Sequence, residues 1–231
     1  KDSSGDFKIA TPTGGLPFNG TYRVRVMGAV SGKSPVPFTI KVDRLGLTAV
    51  AYGERFKKIY DGYNEKDPAS VDETVAKLER FVKEAPNYPT AFERLGIIYF
   101  EIRKDAGKAA WAFDQAIKTG GDARFQIAYD NKWRQIAKSR SGEFGFQDKR
   151  PGWLRIHAGR LTLHDINDKE LVALTGPQIT GLSTNLVSNN LATITINNAR
   201  KTYIFAPKDM RQVEADLIVK LIQNHVVGKA N

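Results

Sequence analysis

Histidine is the side chain that exchanges protons near neutrality and the commonest metal ligand. The chain has three, His157, His164 and His225, so a metal or acid–base cluster is the first chemistry to weigh. Alternation of apolar residues places His157 and His164 on one face of a hairpin that turns at Ala158–Gly159, at its opposite ends. No acidic residue stands at a spacing that completes a ligand set, so the three read as surface or interface groups, and no metal is expected. Cysteine is absent from the 231 residues, which excludes thiol catalysis, disulfides and Cys-based zinc or iron–sulfur sites. No nucleophile, base and orienter converge in the pattern. The expectation is a non-enzymatic protein with no catalytic residue and no cofactor.

Phosphate chemistry is the next candidate. Ser31-Gly32-Lys33-Ser34 has the end of a phosphate-binding loop, but the required glycine falls on Met27, Gly28 misses by one, and a strand follows where a helix should begin. It reads as a hairpin loop. Gly120-Gly121-Asp122 resembles the turn of nucleotide cyclases that make cyclic dinucleotides, yet Ala123-Arg124 lacks their acidic–aromatic pair. That triplet reads as a helix C-cap followed by an N-cap. Asn19-Gly20-Thr21 matches a glycosylation sequon and also a turn entering a strand.

The net charge is +10, and its distribution decides what it means. Residues 1–50 hold seven Lys/Arg against three Asp/Glu, residues 51–150 nineteen against sixteen, and residues 151–231 nine against six. The one concentration is Lys132, Arg134, Lys138 and Arg140 around Trp133, a mixture that single-strand binders use. Trp133 keeps step with Phe125 and Tyr129, however, so it reads as core. Spread this evenly, the charge reads as a solvated surface, and no specific nucleic acid is expected. No run approaches the roughly 18 apolar residues of a membrane span.

The elements that must carry these residues change character along the chain. Residues 1–48 alternate with period two, with Tyr22, Val24 and Val26 on one strand and Phe38, Ile40 and Val42 on the next. From 49 to 140 the period is helical. One helix carries Tyr52, Phe56, Ile59 and Tyr60, and the next carries Val71, Val75, Leu78 and Phe81 or Val82. A third, N-capped by Thr90, carries Phe92, Leu95, Tyr99 and Ile102, and a fourth spans 106–118. Asp122 is expected to cap a last helix lined by Phe125, Tyr129, Trp133 and Ile136. Gly142, Gly145 and Pro151 mark 141–152 as a linker. From 153 to 231 short strands at 154–156, 161–163, 171–174, 179–184, 191–196 and 202–205 precede a helix with Val213, Leu217, Ile218, Leu221, Ile222 and His225 on one face. Asp209 and Gln212 form its expected capping box.

Phe92, Leu95, Gly96 and Tyr99 resemble the aromatic-x2-Leu-Gly-x2-Tyr pattern of the tetratricopeptide repeat, and Ala109, Phe113 and Ala116 its Ala-x3-Phe-x2-Ala pattern. The likeness covers about residues 70–119. It departs from the family at Phe81 and Thr74, and by one extra residue between the helices of the clearer repeat. It implies a concave groove lined by the first helix of each pair, with Glu93, Ile97, Glu101 and Lys104 as exposed contact positions. Lys132, Arg134 and Lys138 are the candidates for holding an acidic partner.

The hairpin in 1–48 resembles the last two strands of β-sandwich modules common in exported bacterial proteins, which implies a periplasmic or extracellular location ahead of a cytoplasmic one. The order of short strands and closing helix over about 152–227 resembles the pleckstrin-homology-like barrel. There a C-terminal helix plugs one end of a strongly bent sheet. A short loop at Ala158–Gly159, flanked by His157 and Arg160, departs from that family's phosphoinositide-binding members. The expected molecule is α+β: an N-terminal β-hairpin or partial sandwich, tetratricopeptide-like helical hairpins, and a pleckstrin-homology-like β-barrel with a capping helix. Its expected work is scaffolding, by recognition of a peptide or partner protein. The alternative is a module held to a membrane surface or nucleic acid by charge.

Overall fold

The computed structural model describes residues 49–139 and 144–228. The expected N-terminal hairpin, the 31–34 loop and the 19–21 turn lie outside the described residues.

Four helices come first: α1 (Ala49–Tyr60), α2 (Pro68–Glu84), α3 (Pro89–Ile97) and α4 (Ala106–Lys118). Asp67 caps α2 by accepting from the Ala69 amide at 3.0 Å, and Asp105 caps α4 by accepting from the Lys108 amide at 2.9 Å. α3 departs from expectation at its start. Its N-cap is Tyr88 and Pro89 is the first helical residue, a position that needs no N–H, so Thr90 lies inside the helix. α3 continues through one π-helical turn, Ile98–Ile102.

Of the apolar residues picked out by helical period in α1 to α4, those of α2, α3 and α4 are buried, whereas Tyr52, Phe56, Ile59 and Tyr60 of α1 and Ile102 are half-buried. Leu78, Leu95, Ala109, Phe113 and Ala116 are fully enclosed, with Phe92 and Tyr99 nearly so. Gly96 shows how closely α3 and α4 pack. A Cβ built on it would lie 2.6 Å from the Phe113 ring, so only glycine admits that ring against the α3 backbone.

The largest correction falls after α4. The segment expected as a helix from Asp122 is a strand, β1 (Ala123–Asp130), whose Ala123, Phe125, Ile127 and Tyr129 point to one face. Phe125 and Tyr129 satisfy a spacing of four and a period of two alike, and Ile127 between them settles the register as a strand. The helical region therefore ends at Lys118. The expected linker is also partly strand: β2 (Ala137–Lys138) pairs with β3 (Phe144–Gly145), and β4 runs Lys149–His157. Beyond it come β5 (Arg160–Asp165), β6 (Glu170–Thr175), β7 (Gly181–Ser188), β8 (Leu191–Asn197), β9 (Thr202–Pro207) and helix α5 (Gln212–Ile222).

Seven strands form one antiparallel sheet in the order β6-β5-β4-β1-β9-β8-β7. The register at the first hairpin is the expected one, with Leu154 opposite Leu163 and Ile156 opposite Leu161. The sheet is open, because β6 and β7 are its two edges and do not pair. It is also strongly curved. Thr175 and Gly181 bound the bridge between β6 and β7, and those six steps reach at most roughly 20 Å. A flat seven-stranded sheet would hold its edges about 29 Å apart.

α5 fills the concavity with Ala215, Ile218, Leu221 and Ile222, against Ile194 and Ile196. Its start also departs from expectation: Arg211 is the N-cap, without a side-chain capping bond, and Asp209 is engaged elsewhere. Val213, assigned to the buried face, is 44% exposed, whereas Val219 is buried. Helices and sheet share one apolar core, in which the Phe113 and Phe125 rings lie 4.7 Å apart.

Candidate functional site

The face of α3 expected to line a groove is turned toward the sheet. Glu93, Ile97 and Glu101 are half-buried rather than exposed. Lys104 Nζ donates to Asp209 Oδ2 at 2.7 Å and lies 3.6 Å from Glu214 Oε1, tying the end of α3 to the start of α5. Burial pushes the Glu93 carboxyl up to about 7, with Asp122 adding to the rise, against the guanidinium groups of Arg94, Arg124 and Arg155. Burial likewise raises Glu101, partly offset by Lys104 and Lys208. Glu93, Ile97 and Glu101 form a half-buried seam, and Lys104 at its end is exposed, as expected.

The basic set does not form a stripe. Asp130, at the end of β1, is fully buried and accepts from the amides of Lys132 at 2.8 Å and Asp148 at 3.0 Å. It also accepts from Arg134 Nε at 2.9 Å and Arg134 Nη2 at 3.0 Å. Those donors, led by the Arg134 guanidinium, hold the Asp130 carboxyl well below the usual carboxylate range. Arg134 is thus a structural clasp. Lys138 lies over the Phe144 ring at 5.8 Å, and Lys132 is exposed. Trp133 stacks on Tyr129 at 5.1 Å and meets Tyr203 edge-on at 5.2 Å, so it packs against the core as expected, but from the loop after β1 and not from the expected helix.

The three histidines are apart, and each lies against an aspartate that sequence spacing did not find. His157 contacts Asp122, His164 Nδ1 lies 3.5 Å from Asp168 Oδ1, and His225 Nε2 lies 3.0 Å from Asp114 Oδ1. Among the described residues no group of three His, Cys, Asp or Glu is placed to hold a metal. No described helix is long and apolar enough to cross a membrane.

What remains open to a partner is the edge of the sheet. β7 pairs with β8 on one side, and among the described residues nothing pairs on the other. Alternate residues of such a strand aim N–H and C=O groups outward, which is a template for another strand. Natural edges are commonly blunted by charge or proline, and Gly-Leu-Ser-Thr-Asn-Leu-Val-Ser contains neither. The other edge, β6, is shorter and carries Glu170, paired with Arg160 at 2.9 Å.

α5 runs along the same end of the sheet, anchored where the Gln212 amide donates to the Asn190 carbonyl at 2.9 Å. An open recess of about 630 Å³ is lined by Leu186, Val187, Ser188, Asn189, Asn190 and Gln212. Leu186 is 63% exposed, which leaves an apolar side chain at the mouth of the edge. Period-two spacing announced the strand, but only the strand order makes it terminal.

Fold and site together define an α+β protein in which helical hairpins brace a curved antiparallel sheet whose uncharged edge strand β7 pairs on one side only among the described residues. Compared with known proteins, the chain matches no family model and no curated protein.

Proposed function

We propose that this chain is a non-enzymatic protein-recognition module that takes an extended segment of a partner as an added strand on β7. In this reading the tetratricopeptide-like hairpins act as an internal brace, and the pleckstrin-homology-like sheet does the binding. The single observation that carries it is an eight-residue edge strand without charge or proline, beside α5. Backbone pairing supplies affinity in such docking, and side-chain recesses such as the one at Leu186 supply selectivity. Further support for the pleckstrin-homology-like likeness comes from the short β6–β7 bridge, the curvature it imposes and the helix seated in the concavity.

Panning random displayed peptides against the full chain tests this. Selected peptides should shift backbone amide resonances of β7 and its α5 flank. A variant with Ser183→Lys and Asn185→Lys, both at exposed positions, should lose binding while keeping its fold. Peptides that map to α3, or that bind the two-lysine variant unchanged, would overturn the proposal. The rival is a charge-driven surface binder. It predicts capture of anionic vesicles or nucleic acid that collapses as salt rises from about 50 to 200 mM.

A further inference from the structure

Arg124 on β1 and Arg155 on β4 stand directly opposite each other in the sheet. Like charges so placed repel, and a sheet keeps such a pair only where something offsets the charge. Arg155 is half compensated, because its Nη2 donates to Asp168. Arg124 makes no hydrogen bond or ion pair among the described residues. Its guanidinium instead lies over the Trp153 ring, 4.1 Å from the centroid. The Nε atoms of both arginines are buried and have no partner. A buried N–H without an acceptor costs free energy, and two on one patch are unusual in a native protein.

The patch is firmly held. Trp153 fixes the plane of one guanidinium. Asp168 fixes the other, and is itself placed by its carbonyl 3.1 Å from His164 Nδ1, while His164 Nε2 lies 2.9 Å from Thr162 Oγ1. Thr162 and His164 are buried beside the patch on β5, opposite Arg155 and Trp153. Glu93 of α3 is near enough to feel both arginines but makes no hydrogen bond or ion pair among the described residues.

We propose that Arg124 and Arg155 form a binding site for one carboxylate, accepted by the Nε–H and Nη–H groups of the two forks. The charge selects the class. With Asp168 on Arg155, the pair lacks one negative charge, and Glu93 nearby disfavours a second. A carboxylate is planar, singly charged and matched to a guanidinium fork, whereas a phosphate brings more charge than the patch can take. The site lies on β1 and β4, separated from β7 by β9 and β8, so it stands or falls independently of strand addition.

The test follows the arginine Nε–H resonances of the full, isotope-labelled chain during titration with sodium acetate, with sodium phosphate and with sodium chloride at matched ionic strength. Acetate should shift the Arg124 and Arg155 signals saturably, and chloride should not. Arg124→Lys keeps the charge but removes the fork, so it should abolish the saturable Arg155 shift with the fold intact by circular dichroism. If that variant does not fold, Trp153→Leu, which unseats the Arg124 plane, should weaken acetate binding several-fold. A glutamate-containing peptide that binds far more tightly than acetate would assign the carboxylate to a partner's side chain, and equal binding would assign it to a free small acid.

Four results would each overturn the proposal. These are no saturable shift, equal response to chloride, tighter binding of phosphate, or acetate binding that emerges only after Glu93→Gln. The last would make Glu93 itself the occupant.

Discussion

His225 Nε2 lies 3.0 Å from Asp114 Oδ1, joining the π-helical turn Gln223–Val227 that follows α5 to α4 across 111 residues of sequence. The His225 carbonyl also accepts from the Gly159 amide at 2.7 Å, in the turn between β4 and β5. One residue thus fastens α4, the sheet and the turn after α5 together. His225→Ala should cost about 1–2 kcal/mol in chemical denaturation and speed hydrogen exchange at Gly159 more than at the centre of β1. Uniform acceleration across the sheet would contradict this local role.

Gly96 is expected to be the least replaceable position of α3. Gly96→Ala drives a methyl group toward the Phe113 ring, which the surrounding core holds, and should lower stability by about 1–3 kcal/mol. Adding Phe113→Leu, which vacates part of that space, should recover some of the loss. Thermal melts of the two variants decide it, since additive losses would show that the residues do not meet.

Glu93 sets the alkaline side of the stability curve. Its folded pKa, near 7, lies above the unfolded value of 4.5. The folded state therefore binds this proton more tightly, and stability falls as pH rises from about 4.5 to 7, then levels. The groups facing it are Arg94 on its own helix, Asp122 in the preceding turn, Arg124 on β1 and Arg155 on β4. Glu93→Gln should remove that slope and leave the protein more stable at pH 8, by up to about 3 kcal/mol. Denaturation midpoints at pH 5 and 8 measure it.

Asp130 governs the acid side. Its folded pKa is depressed, so its contribution is present above the unfolded value near 3.8 and is lost as pH falls through the folded one. Asp130→Asn keeps the shape but gives up charge-assisted bonds to the Arg134 guanidinium and three amides, those of Lys132, Arg134 and Asp148. It should cost about 2–3 kcal/mol at neutral pH and shift fewer acid-limb protons. An unchanged acid midpoint would remove the clasp from this account.

Much of the architecture could be read from residue spacing because apolar periods were long and well punctuated. The span of α4, the Leu154–Leu163 register and the closing helix follow from such runs. β1 could not be read, since eight residues with aromatics four apart fit helix and strand equally. That one ambiguity hid the arginine pair: as a helical residue Arg124 has no fixed neighbour, and as a strand residue it faces Arg155. The seam on α3 was hidden differently. Glu93 and Glu101 look solvent-bound by type, and only tertiary packing turns them inward.

Phe125 belongs to a strand, yet Phe113 and Phe100 of the helices press on its ring at 4.7 and 5.0 Å. A chain split between Thr119 and Asp122 would therefore leave two sticky fragments, each with aromatic faces stripped of cover. Evolution and the engineer face the same rule here. Helices and sheet can be moved into a new protein together, and neither half travels alone.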